Sequence, residues 1–303
     1  MKTSPTMPRV LVLGATGLLG HKLFQVLGTR FETWGTARNS WPLEYFDLDS
    51  FGQIVTNVDA FDFNRLLQTL ERLQPNVIVN SIGIIKQRPI SADPIVSITL
   101  NSLFPQRLAA ACRTAHIRLI HISTDCVFSG KRGMYRETDV ADAEDLYGRT
   151  KYLGEVAGSG CLTLRTSIIG RELQGAWGLV EWLLGHKHGR VRGFTRAVFS
   201  GLTTAALANA IRDLIEFHPD LYGPYHISSE PIDKYTLLEM LRNAYHLDVS
   251  IDEDDSVVID RSLDSSLFRS VTGFRPQSWT EMVAEMAADP TRYEDTRNTL
   301  HAS

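Results

Sequence analysis

The sequence predicts an α/β protein: a doubly wound parallel sheet (a Rossmann fold) with a smaller C-terminal substrate-binding lobe. Three observations predict it. Short β-branched runs alternate with longer segments of helical periodicity over the first two-thirds of the chain. Glycines cluster between the first strand and the first helix. After about residue 170 the alternation loosens into Gly- and Trp-containing stretches. Strands separated by helical segments imply right-handed crossovers, hence a parallel sheet with helices on both faces.

Val10–Leu13 reads as a buried strand, followed by a helix from about Gly17 to Leu27. Phe31–Thr36 is the second strand, and Gln53–Val58 the third, leading into an amphipathic helix over Phe63–Leu73. Pro75 marks the turn before a strand at Val77–Asn80. Asp93-Pro94 opens a long helix running through Leu108 to Cys112. Ile117–Ile122 and Leu162–Thr166 are the next strands. Beyond Gly175–Gly193 come short elements near Tyr225–Ile227 and a helix around Tyr235–Tyr245. The expected division is 8–170 for the dinucleotide-binding domain, 171–285 for a lobe that sends some chain back to it, and 286–303 for a tail.

Bulk properties narrow the classes. Hydrophobic residues make up 43% and charged residues 22%, ordinary for a soluble globular protein. A net charge of −4 predicts no nucleic-acid or membrane partner. Two local biases stand out: the basic stretch 186–196, either loop surface or a contact for a substrate diphosphate, and the acidic cluster Asp252-Glu253-Asp254-Asp255. Three cysteines without metal-ligand spacing point to a reducing, cytoplasmic setting rather than a disulfide framework. No apolar run approaches the roughly 18–20 residues that span a bilayer. His186 and His188 lack a third ligand of suitable spacing, so no metal is expected.

Gly14-Ala15-Thr16-Gly17-Leu18-Leu19-Gly20 follows the first strand and opens the first helix. Glycines there allow a tight turn and close approach of backbone to a pyrophosphate, while the helix N-terminus supplies N–H groups and positive potential. The second strand leads into Thr36-Ala37-Arg38-Asn39, with no acid to bind ribose hydroxyls. Arg38 either meets a 2′-phosphate or lies on the surface, so NADPH is the expected cofactor and NADH the alternative. Asp59, soon after the third strand, either stands where similar dinucleotide-binding proteins hold the adenine amino group, as resemblance to them implies, or caps a helix.

After the fifth strand comes Ser123-Thr124-Asp125-Cys126-Val127-Phe128-Ser129-Gly130, and later Tyr147-Gly148-Arg149-Thr150-Lys151. Residues four apart share a helix face, so Tyr147 and Lys151 project to one site. Ketone reduction needs hydride at carbon and a proton at oxygen. A neighbouring ammonium is expected to lower the tyrosine's pKa, and the Thr124 hydroxyl to polarise the carbonyl. Ser123 beside Asp125 does not signal a hydrolase, because no G-x-S-x-G elbow is present.

The G-x-x-G-x-x-G spacing resembles the extended short-chain dehydrogenase/reductases. STDCVFSGKRGMYRE…YGRTKYLGE further resembles dTDP-4-dehydrorhamnose reductases and related nucleotide-sugar reductases, with support from Leu164 to Gly170 and from Arg261-Ser262-Leu263-Asp264. The similarity spans roughly residues 8–285. It implies that Thr124, Tyr147 and Lys151 are catalytic, with Asn101 supporting the lysine. It implies that Asn80, Ser81 and Ile82 line the cofactor, that Ser167 and Ile168 touch its nicotinamide end, and that a homodimer is common. The implied substrate is a dTDP- or UDP-linked sugar. Lys86, Asp125, Cys126, Val127, Phe128, Trp177 and Arg261 are its expected contacts, although Lys86 reads equally as an exposed loop lysine and Trp177 as lobe packing. Cys126 stands where the rhamnose enzymes carry tyrosine. GDP-fucose synthases carry cysteine there too but pair it with a histidine, where this chain has Arg171-Glu172.

Overall fold

The computed structural model describes residues 7–40, 46, 52–173, 175–186 and 188–293. Its strands are β1 Arg9–Leu13, β2 Glu32–Thr36, β3 Gln53–Val55, β4 Val77–Asn80, β5 Arg118–Ile122, β6 Cys161–Arg165, β7 Ile168–Ile169, β8 His188–Phe194, β9 Ala197–Phe199, β10 Leu202–Thr203, β11 Gly223–His226, β12 Ile232–Asp233, β13 Asp248–Asp254 and β14 Ile259–Asp260. Its α-helices are α1 Gly20–Gly28, α2 Phe63–Leu73, α3 Pro94–Ile98, α4 Phe104–Thr114, α5 Leu146–Leu153, α6 Leu179–Gly185, α7 Thr204–Phe217, α8 Lys234–Ala244, α9 Ser266–Thr272 and α10 Trp279–Ala287.

Seven strands form one parallel sheet in the order β11-β6-β5-β4-β1-β2-β3. Alternate residues of β1 serve opposite faces, as the strand period of two requires. Val10 and Val12 pack with Leu23 of α1 and Leu207 and Ile211 of α7, whereas Leu11 and Leu13 pack with Leu66 of α2 and Leu108 of α4. The sheet is therefore covered on both sides, as the alternating pattern predicts. The chain builds outward from β1 through β2 and β3, then reverses and continues from β4. That reversal opens a crevice at the carboxyl ends of β1 and β4, where ligands of such sheets bind.

Two boundaries differ from the sequence reading. β3 stops at Val55 because Asn57 turns into the left-handed region (φ 59°). α1 starts at Gly20, because Gly17 bonds back to the Gly14 carbonyl in a turn first.

Residues 166–203 and 227–287 carry the smaller sheets: β7–β10, β9 with β12 and β14, and the parallel pair β8–β13. The two charge biases face each other across that last pair, with Arg190 on Asp252 (3.4 Å) and Arg192 on Asp254 (3.1 Å). Their proximity was invisible in sequence, and it engages two arginines of the basic stretch without any diphosphate. Of the expected tail, residues 294–303 lie outside the described residues. Before them, Asp289 pairs with Lys22 (2.5 Å) and Tyr293 bonds His21 (2.8 Å), tying the end of the chain to α1. No helix among the described residues is long and apolar enough to cross a membrane.

Candidate active site

The glycine loop sits at the crevice. Gly14 adopts φ +79° and donates to Thr36 Oγ1 (3.1 Å), while Ala15 N bonds Thr36 O (3.0 Å), so the loop is stitched to the end of β2. At Gly20 a Cβ would stand 1.9 Å from the Gly14 carbonyl oxygen, which excludes any other residue there. No side chain caps α1, whose second residue, His21, already bonds Gly17 O through its N–H (3.2 Å). Thr16, Gly17 and Leu18 are accessible. Leu19 has its side chain buried in the core, so only its backbone can face a cofactor.

The loop after β4 forms the crevice's other wall. Ser81 donates to Leu13 O (2.6 Å), and the Asn80 amide bonds buried His121 (3.1 Å) and Ile82 N (3.1 Å). Ile82 packs on Gly14, where a Cβ would lie 3.0 Å from its side chain. Arg38 is exposed at the carboxyl end of β2. Asp59 accepts from Phe61 N (3.0 Å) in a local turn, while the cap of α2 is Asp62, which accepts from Arg65 N (3.0 Å). Ser167 and Ile168 are half-buried where β6 passes into the lobe, and Ser167 O accepts from Leu202 N (2.9 Å). A glycine cradle at a helix N-terminus, with an accessible arginine at the end of β2, fits a nicotinamide dinucleotide.

Tyr147 and Lys151 lie on α5, capped by Asp145, whose carboxylate accepts from Gly148 N (2.9 Å). Lys86 reaches across to the same Asp145 (2.9 Å), so it braces the helix rather than standing free. The Tyr147 phenol lies close enough to the Thr124 hydroxyl for Thr124 to lower its pKa against the effect of burial. Thr124 also donates to Asp125 (3.1 Å) and accepts from Cys126 N (3.1 Å). Lys151 donates to the Ile122 carbonyl (2.7 Å) and stands near Gly83, beside the Asn101 carboxamide.

Electrostatics depart from the sequence expectation at one point. Burial, then Cys126, raises the Tyr147 pKa, and Lys151 is not among the groups that lower it. Burial brings Lys151 down to about 8. The phenol is thus held protonated, the state a proton donor needs. Cys126 is pushed up to about 12 by burial and by Asp125, so it is a thiol near neutrality.

Asn101 lies in a π-helical segment, Thr99–Leu103, between α3 and α4. Pro105 has no N–H for the Asn101 carbonyl, which accounts for the irregular turn. The Asn101 side chain accepts from Ile84 N (2.9 Å) and donates to Thr150 (3.4 Å), joining the β4 loop to α5.

Val127 and Phe128 are corrected: both are fully buried, Phe128 stacked on Tyr135 (4.3 Å), so neither side chain meets a substrate. The Phe128 carbonyl instead accepts from Arg261 Nε (3.0 Å), which holds Arg261 near Asp125. Trp177 is partly exposed against Gly175. Arg171, at the position of the absent histidine, is locked onto buried Glu181 (2.5 Å).

Sequence reasoning missed three features. Glu155, from the Gly-Glu pair after Lys151, accepts from Ser123 (2.7 Å) and from Arg165 (2.7 and 2.8 Å), fastening α5 to β5 and β6. The Ser123 and Arg165 partners carry no spacing signal. Lys234, at the start of α8, places its ammonium 3.7 Å over the Phe199 ring, facing Asp125 and Cys126 from the lobe. The tie between Lys86 and Asp145 is the third.

This geometry coincides with a family match. The sequence profile described as RmlD substrate binding domain covers residues 8–291. The chain belongs to the RmlD substrate-binding-domain family. Among relatives, it is 25% identical over 319 residues to a dTDP-4-dehydrorhamnose reductase of Aggregatibacter actinomycetemcomitans, covering 93% of this chain and 99% of that one. It is 32% identical over 173 residues to methionine adenosyltransferase 2 subunit beta of Pongo abelii, 55% of this chain and 48% of that protein. A solved hypothetical dTDP-4-dehydrorhamnose reductase from Sulfolobus tokodaii superposes with a TM-score of 0.75 at 26% identity, covering 89% and 98% of the two chains. The Bacillus anthracis dTDP-4-dehydrorhamnose reductase in complex with NADP superposes at 0.74 and 19% identity, covering 93% and 99%, a likeness of fold. Members of this RmlD family thus share the architecture that frames Tyr147 and Lys151.

Proposed function

We propose that this RmlD-family protein is a cytoplasmic, NADPH-dependent reductase. It would reduce the 4-keto group of a dTDP- or UDP-linked 4-keto-6-deoxyhexose, with or without an N-acetyl group, in the synthesis of surface-polysaccharide precursors. The observation that carries this reading is the Tyr147 phenol, held protonated beside the Thr124 hydroxyl on the helix that presents Lys151. Kinship with a reductase aligned along 93% of this chain supports it.

Gly14, Thr16, Gly17, Leu18, the Leu19 backbone and Gly20 would cradle the pyrophosphate. Arg38 would take the 2′-phosphate, and Asp59 the adenine. Asn80, Ser81, Ile82, Ser167 and Ile168 would flank the nicotinamide half, with Lys151 on its ribose. The bound cofactor supplies hydride to the keto carbon. Tyr147 gives its proton to the carbonyl oxygen, and Thr124 holds that oxygen as negative charge develops. Asn101 fixes the loop beside Lys151. Asp125, Cys126 and Arg261 would line the sugar side, with Trp177 at the lobe. The exposed apolar residues Ile95 and Ile98 of α3, Leu103, and Tyr152 and Leu153 of α5 fit a homodimer through these helices.

Epimerisation through Cys126 is disfavoured by its protonated thiol and by the locked Arg171. The similarity to a methionine adenosyltransferase subunit keeps a regulatory, non-catalytic reading in view. Tyr147→Phe separates the two: loss of ketone reduction supports the enzyme, and full biological activity in that variant would contradict it.

A further inference from the structure

Lys234 breaks two local rules. It is a cation in the first turn of α8, where the helix dipole repels positive charge, and it is partly buried. Among the described residues its ammonium has no hydrogen bond and no ion pair, only the Phe199 ring at 3.7 Å. The groups around it make their hydrogen bonds elsewhere, although the buried Asp125 carboxylate attracts it through space. Asp233 caps α8 by accepting from Thr236 N (2.8 Å) and Thr236 Oγ1 (2.7 Å). Asp125 accepts from Thr124 (3.1 Å), and Arg261 donates to Phe128 O (3.0 Å) and Ser129 O (3.5 Å). A cation partly withdrawn from water, offset only by a ring and by the field of Asp125, keeps its hydrogen-bond donors for a ligand.

The position limits which part of a ligand that is. Lys234 acts electrostatically on Asp125 and Cys126, which directly follow Thr124, and Thr124 lies beside the Tyr147 phenol. The ammonium therefore lies at the lobe, over Phe199 and within electrostatic range of the S-T-D turn. We infer that Lys234 is a substrate-binding residue whose ammonium takes an acceptor oxygen on the hexose itself, beside the reacting carbonyl, rather than the nucleotide's diphosphate. Carboxylate, hydroxyl and amide oxygens all satisfy that geometry. This inference rests on the reductase reading above and adds to it the group that selects the sugar.

The test is steady-state kinetics of Lys234→Met and Lys234→Arg on a 4-keto nucleotide sugar that the wild type reduces, with inhibition by UDP or dTDP alone. Lys234→Met should raise KM about tenfold or more, the scale of one charged hydrogen bond. It should leave kcat and NADPH affinity within about threefold, and Lys234→Arg should recover most of the lost KM, a rescue that a packing defect would not give. A KM within about twofold of wild type in both variants would overturn the inference. So would inhibition by the bare nucleotide weakening in parallel with KM, which places the amine on the diphosphate. Thermal melts of both variants guard against misfolding, and Lys234→Arg carries the test if Lys234→Met does not fold. Failure of the wild type to reduce any ketone sinks the reductase reading, and this inference with it. A working wild type with unaltered variants sinks this inference alone.

Discussion

Gly154, one turn beyond Lys151, lies against the main-chain carbonyl of Asn101: a Cβ at this position would stand 1.8 Å from that oxygen. The contact joins the helix carrying Tyr147 and Lys151 to the π-helical segment carrying Asn101. Gly148 makes a similar approach to the Cys126 carbonyl, at 2.2 Å. The two glycines of the Y-G-x-x-K-x-x-G run are thus steric requirements for seating α5 on the S-T-D turn and on Asn101. Gly154→Ala should destabilise the protein by about 1–3 kcal/mol, because a backbone oxygen cannot rotate away as a side chain can. Denaturant unfolding measures it, and unchanged stability would mean that α5 shifts freely.

Tyr147→Phe removes the proton donor while keeping the ring. Ketone reduction should fall by about 10²–10⁴-fold, the usual contribution of a positioned acid. NADPH affinity, followed by fluorescence titration, should hold within a few-fold. Retained turnover would remove Tyr147 from the chemistry.

Lys151 gives a pH signature in stability. Its folded pKa of about 8 lies below the ordinary 10.5, so between those values the unfolded chain binds more protons than the folded one. Wild-type stability should therefore rise, relative to Lys151→Met, as pH climbs from about 8 to 10.5. The slope is at most about 1.4 kcal/mol per pH unit. A difference that is flat or falling across this window would show that the ammonium is not desolvated.

Arg38→Ala should weaken NADPH binding by about tenfold or more, the scale of a lost charge-assisted contact, and leave NADH binding unchanged. Equal losses for both cofactors would place Arg38 away from the 2′-phosphate. For Cys126→Ser the expectation is reductase activity within a few-fold of wild type and no change in solvent-deuterium incorporation into the sugar. Exchange in the wild type that the serine variant lacks would restore an epimerase role for the thiol.

The parallel sheet and its helices were legible because each buried strand is a compact β-branched run and each helix is periodic; α2 falls on the predicted Phe63–Leu73. The glycine loop and the Tyr147–Lys151 pair were legible because their spacing is local. What escaped depends on partners distant in sequence. Lys234 lies over a hundred positions beyond Asp125 and comes within its electrostatic range only once the lobe folds back. Val127 and Phe128 stand two and three residues after Asp125, yet the short turn at Asp125–Val127 carries them into the core beside Tyr135 and Leu263. The direction of the Tyr147 pKa turned on burial, which the pairing rule for Tyr and Lys omits.

The most direct test follows NADPH absorbance at 340 nm and product mass with a panel of dTDP- and UDP-linked 4-keto-6-deoxy sugars, each prepared in situ by a dehydratase. The account predicts NADPH consumption with at least one sugar, a product two mass units heavier, and neither signal with Tyr147→Phe. NADPH binding without consumption across the panel, or a Tyr147→Phe protein as active as wild type, would contradict it.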